Sequence, residues 1–233
     1  MERNIPKFMS NLESRVILLD PKDLNYPFSG KPSFPIKPFG AEYTENLYIG
    51  DLFPCYTHNR DLVLECAARC EKIFPIGFPI TWYILPFEDD SRTNGYATVT
   101  RLYNSKKNKE AYQFSPYIVL WGKRISIHPA MSRYLCYHEC GHQLDNWICY
   151  CRGYKDGASD FDKEYAEMRG IECYAGYGGL KHHLNIGEII ANDARICVFG
   201  AEREFWAHEC EHPDKLPHVH EFWYKMMLTY GKG

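Results

Sequence analysis

His138-Glu139-Cys140-Gly141-His142 is an HExxH pentapeptide, and it follows a stretch that reads as strands, Tyr117 to Trp121 and Ile125 to Ile127, around Gly122-Lys123-Arg124. Pro129 suits the first turn of a helix, so the pentapeptide is predicted to lie on a helix fed by a strand. Met131, Leu135, His138, His142, Leu144 and Trp147 recur at helical spacing. On such a helix two histidines four residues apart share one face, roughly 6 Å apart along the axis, and both imidazoles reach one tetrahedral Zn²⁺. Glu139 leans off that face, where a carboxylate acts as general base on a metal-bound water.

A second match, His208-Glu209-Cys210-Glu211-His212, lies near the C-terminus, with His218 six residues further on. Pro213 disfavours helical geometry at His212 and removes the next turn, and Lys215 stands where a metzincin-type HExxHxxGxxH run has its glycine. The first match is therefore the expected metal site, and the second is expected to be a polar helix end.

Two histidines leave a catalytic zinc one protein ligand short. Glu188 is the best candidate for the third, because it opens Glu188-Ile189-Ile190-Ala191-Asn192-Asp193-Ala194-Arg195, a predicted second helix with an apolar face. The alternative is an N-terminal helix carboxylate favoured by the dipole. Asn192 or Asp193, one turn on, is placed to accept a hydrogen bond from a ligand imidazole. Asp145, three residues past His142, is either a partner of that kind or a solvated helix residue.

His138-Glu139-Cys140-Gly141-His142-Gln143-Leu144-Asp145 resembles the HExGHxxD block of the anthrax lethal factor-like peptidases, and Glu188 through Arg195 resembles their distal ExxAxxxR helix. The Glu-Ile-Ile-Ala-Asn run is also similar to the distal helix of ImmA-type peptidases. The resemblance covers roughly residues 60 to 200. It implies a gluzincin: a zinc endopeptidase with His138, His142 and Glu188 as metal ligands and Glu139 as catalytic base. Such relatives carry an oxyanion-binding tyrosine shortly before the third ligand. Here Tyr174, Tyr177, His182 and His183 are the candidates, an imidazole N–H donating as well as a phenol does.

The remaining chain fits an α+β, zincin-like metallopeptidase fold. The expectation is a small mixed sheet with an antiparallel edge strand packed on the HExxH helix, and a second helix carrying the third ligand. Asp61 to Phe74 reads as an amphipathic helix, Ile80 to Phe87 and Ala97 to Tyr103 as strands. Residues 118 to 128 are the expected edge strand, where an extended protein or peptide substrate adds to the sheet. A Gly- and Tyr-rich connection then runs to Glu188, and helices about Ala201 to Cys210 and His220 to Tyr230 close the chain. Residues 1 to 45, with six prolines and little periodicity, read as an extended arm suited to a protein partner, and 46 to 233 as one catalytic domain.

Composition narrows the classes. The 233 residues are 45% apolar, enough for one core. A net charge of −3 argues against a general nucleic-acid binder. No run is apolar enough for a membrane span, and the start lacks a secretory segment, so a cytoplasmic protein is expected, with delivery to another cell or a virion left open. The ten cysteines are then expected as free thiols. Cys66 and Cys70, and Cys136 and Cys140, are i,i+4 pairs of small core residues; a structural zinc at Cys149 and Cys151, or a nucleophilic cysteine, is the weaker reading. The alternative function is a zincin-fold binding or structural component with little proteolytic activity, against which Glu139 argues.

Overall fold

In the computed structural model the described residues are 16–18, 56–73, 80–85, 95–100, 115–121, 129–152, 160–174, 182–201, 203–206 and 208–231. Four strands, β1 (Val16–Leu18), β2 (Thr81–Leu85), β3 (Gly95–Thr100) and β4 (Ser115–Trp121), form one sheet in the order β1-β2-β4-β3. β1 and β4 each run parallel to β2, with Val16 opposite Trp82 and Thr81 opposite Tyr117, while β3 runs antiparallel to β4.

Two expectations change here. β4 lies between β2 and β3, so the part of residues 118 to 128 that forms a strand is interior; β3 is one sheet margin and β1 the other, and residues 122–128 lie outside the described residues. The buried run from Tyr117 to Leu120 explains the interior position, because a strand covered on both faces reads as continuous apolar sequence rather than as alternation. In addition, Val16–Leu18, within the stretch read as an arm, pairs with β2. Three residues are too short to register as a periodic element; the rest of that stretch lies outside the described residues.

Helix α1 (Tyr56–Ile73) links β1 to β2 and buries Val63, Cys66, Ala67 and Cys70, which share one face at i, i+3, i+4 and i+7. It packs on α2 (Pro129–Cys151), the HExxH helix, which begins at the expected proline. Here the cysteine pairs meet: Cys140 Sγ lies 2.8 Å from Cys70 Sγ, and all four thiols are fully buried. The described cysteines are all free, as expected. Gln143 Nε2 donates to Tyr117 O at 2.7 Å and ties α2 to β4.

The connection to Glu188 contains a helix that the sequence reading missed, α3 (Asp160–Arg169). Ten residues with a mostly charged face gave little periodicity, although Asp160 and Asp162 at its start and Arg169 at its end suit the dipole. Phe161, Tyr165 and Ala166 enter the core. α4 (Ile186–Cys197) carries Glu188, and α5 (Pro217–Tyr230) closes the chain. The helix expected over 201 to 210 is absent among the described residues of that segment, which turn and bend instead. Its carbonyls are taken by side chains: Arg195 donates to Ala201 O and Phe205 O, and Trp206 Nε1 to Cys210 O. Among the described residues no helix is long and apolar enough to cross a membrane.

Candidate metal centre

Helix α4 starts where its sequence dictates. Asn185, in extended geometry, caps it by accepting from Gly187 N at 2.9 Å, which puts Glu188 in the first turn. Gly141 then lets α4 approach α2. A Cβ at that position would sit 2.3 Å from Ala191 O and 2.7 Å from Ala191 Cα, so only glycine admits this contact.

That approach brings three ligand atoms from two helices together. His138 Nε2 and His142 Nε2 are 3.2 Å apart, and Glu188 Oε2 lies 3.0 Å from the first and 3.5 Å from the second. Around a tetrahedral zinc with bonds of about 2.0–2.2 Å, donor atoms are separated by about 3.4 Å. The three sides of the triangle match that spacing, so the donor set fits one metal ion. Glu188 is thus turned to the histidines rather than held as a dipole-favoured helix carboxylate.

The electrostatics follow from this crowding. Burial, together with His142, holds His138 below the usual imidazole range despite its bond to Glu188. Burial works against the charge on His142 too, but Glu188 and Glu139 outweigh it and push its pKa up to about 9. A cation seated on the triangle takes the place of that proton. Glu139, between the two histidines in sequence, is 4% exposed.

The packing around the triad corrects one expectation. Among the described residues, His138 Nδ1 is buried without a hydrogen-bond partner, so neither Asn192 nor Asp193 accepts from it. The Asp193 carboxylate instead binds Arg169, at 2.8 and 3.1 Å, and the Tyr165 hydroxyl, which in turn accepts from Trp223 Nε1. This fully buried knot fastens α4 to α3 and α5. Asn192 Nδ2 donates to Glu188 O at 3.2 Å, and its Oδ1 accepts from Arg195 Nε at 3.1 Å.

Tyr134 was missed by the sequence reading. Its ring stacks on His138 with centroids 5.6 Å apart, and the Arg195 guanidinium lies over the same ring at 4.6 Å from its centroid. Burial raises its phenol pKa. The available signal was its place one turn before His138.

Of the oxyanion candidates, His183 pairs with Glu209 at 2.9 Å, and Tyr174 is exposed. Tyr177 and the His182 side chain lie outside the described residues. Asp145 accepts from Cys149 Sγ at 3.3 Å, and burial with Asp162 nearby pushes its pKa up to about 7. Asp145, Cys149 and Asp162 form the other group of potential ligands within 4.8 Å among the described residues.

Neither group of potential ligands among the described residues includes a residue of the second HExxH run. His212 caps the single 3-10 turn Pro213–Lys215 from extended geometry, as Pro213 requires, and not from a helix end. No family model, curated protein or solved structure matches the chain.

Proposed function

We propose that this protein is a zinc-dependent endopeptidase of the gluzincin kind, with a zincin-like fold similar to that of the lethal factor-like peptidases. The triangle of His138 Nε2, His142 Nε2 and Glu188 Oε2, with sides of 3.0, 3.2 and 3.5 Å, carries the reading. Two imidazoles and one carboxylate are a catalytic donor set, which leaves a coordination position for water, whereas structural zinc sites are closed by four protein ligands.

Zinc at this position supplies Lewis acidity and a water acidified toward neutral pH. Glu139, adjacent to His138 on the same helix, is the carboxylate that would take a proton from the attacking water and return it to the leaving amine. His183, His182 or Tyr177 donates to the oxyanion. β3, at the sheet margin and against α2, offers the backbone on which an extended peptide adds as a further strand.

The test separates metal from chemistry. Glu139→Ala is expected to retain one zinc per chain while peptide hydrolysis falls by at least the 10²–10⁴-fold typical of general-base removal. Unchanged hydrolysis in that variant would remove Glu139 from the mechanism.

A further inference from the structure

The second HExxH run has a different task. His208, its first histidine, is brought by the 201–212 segment against the ligand helix α4. His208 Nδ1 lies 2.8 Å from His183 O. A carbonyl only accepts, so Nδ1 carries the proton and, in the neutral ring, Nε2 is an acceptor. The group facing Nε2, at 2.7 Å, is the Asn192 side-chain nitrogen. The orientation of that amide is set by its other neighbours, since Nδ2 faces Glu188 O and Oδ1 faces Arg195 Nε. Donors and acceptors therefore alternate along one chain, from His183 O through His208 and Asn192 to Glu188 O.

Asn192 is 2% exposed, and each of its polar atoms is used. It braces the backbone from which the Glu188 carboxylate extends. We propose that His208 is a positioning residue for the metal triad: by accepting from Asn192 it fixes the amide that holds the backbone of Glu188 in place. The C-terminal segment thereby acts as a strap that rigidifies a ligand set contributed by two helices. This rests on the zinc reading above, and it deepens that reading by naming what sets the geometry of the third ligand.

Substitutions at position 208 can separate this role from general stabilisation, because the two ring nitrogens have different tasks. Glutamine places an acceptor where Nε2 stands but loses the bond to His183 O; asparagine keeps a donor at the Nδ1 position but leaves Asn192 without its acceptor. Zinc dissociation constants are measured by chelator competition on the full chain of wild type, His208→Gln, His208→Asn and His208→Ala, each well below its own unfolding midpoint in EDTA. Groups that orient metal ligands are worth 10–100-fold in metal affinity. The expected result is about 10-fold or more weaker binding in His208→Asn and His208→Ala, with His208→Gln within about threefold of wild type. If His208→Ala does not fold, the glutamine–asparagine contrast decides. Equal affinity in all variants would overturn the inference, and so would equal weakening of glutamine and asparagine, since the effect would then pass through His183 or through stability alone. Wild type without stoichiometric zinc would instead refute the metal triad itself.

Discussion

Gly141→Ala tests the closest contact between the two ligand helices. The added methyl would lie 2.3 Å from Ala191 O and 2.8 Å from Ala191 C, all backbone that no rotamer change can move. Restoring ordinary contact needs about 1 Å of separation between α2 and α4. Glu188 sits three residues from Ala191 on the same helix. Its Oε2, now 3.0 and 3.5 Å from the two imidazole nitrogens, would retreat to about 4 Å or more, whereas metal–ligand distances tolerate about 0.2 Å. Zinc affinity should therefore fall by more than the 10–100-fold that loss of an indirect contact costs. Stability should change little by comparison, because overpacking costs about 1–3 kcal/mol while alanine gains about 1 kcal/mol over glycine within a helix. Gly187→Ala is the control, since its Cβ would meet only Asn185 Oδ1 at 3.4 Å. Chelator competition gives the affinity, and thermal unfolding in EDTA gives the stability. A Gly141→Ala protein that bound one zinc with wild-type affinity would refute the argument that this glycine sets the distance of the third ligand.

Two predictions concern parts of the fold away from the triangle. Asp193→Ala leaves the Arg169 guanidinium buried without its carboxylate, a loss of about 3–5 kcal/mol; at about 2–4 °C per kcal/mol for a chain of this size, the unfolding midpoint should fall by about 6–20 °C, and calorimetry in EDTA reads it. Asp145 has its pKa raised in the fold to about 7, so its favourable contribution is complete below the unfolded value of about 3.8 and is lost as pH rises through 7. Asp145→Asn should therefore become more stable relative to wild type between pH 5 and pH 8 in urea titrations; a difference that stayed constant or shrank would show that Asp145 is not held neutral by burial.

The pentapeptide exposed its helix because a histidine pair at i,i+4, a starting proline and an apolar face all state the same period. Glu188 was legible for a similar reason, since the helix it opens repeats its apolar residues cleanly. The α+β class and three of the strands followed from apolar runs between turn residues. Order within the sheet did not follow, because it depends on which strand covers which, and the continuously apolar β4 was read as a margin although it lies inside. α3 escaped because its charged face outweighs three buried apolar residues. The 201 to 210 segment misled for the opposite reason: its composition suits a helix, but Arg195 and Trp206 take carbonyls that a helix would need. Tyr134 on His138 repeats one helical turn, whereas His208 on Asn192 joins residues whose separation in the chain carries no period, so tertiary contact alone reveals it.

Metal content measured by mass spectrometry on purified wild type beside His138→Ala, Glu188→Ala and His212→Ala tests the central claim most directly. The geometry predicts one zinc per chain in wild type and in His212→Ala, and loss of that zinc in His138→Ala and Glu188→Ala. Zinc that persisted without Glu188, or vanished only with His212, would contradict a site built from His138, His142 and Glu188.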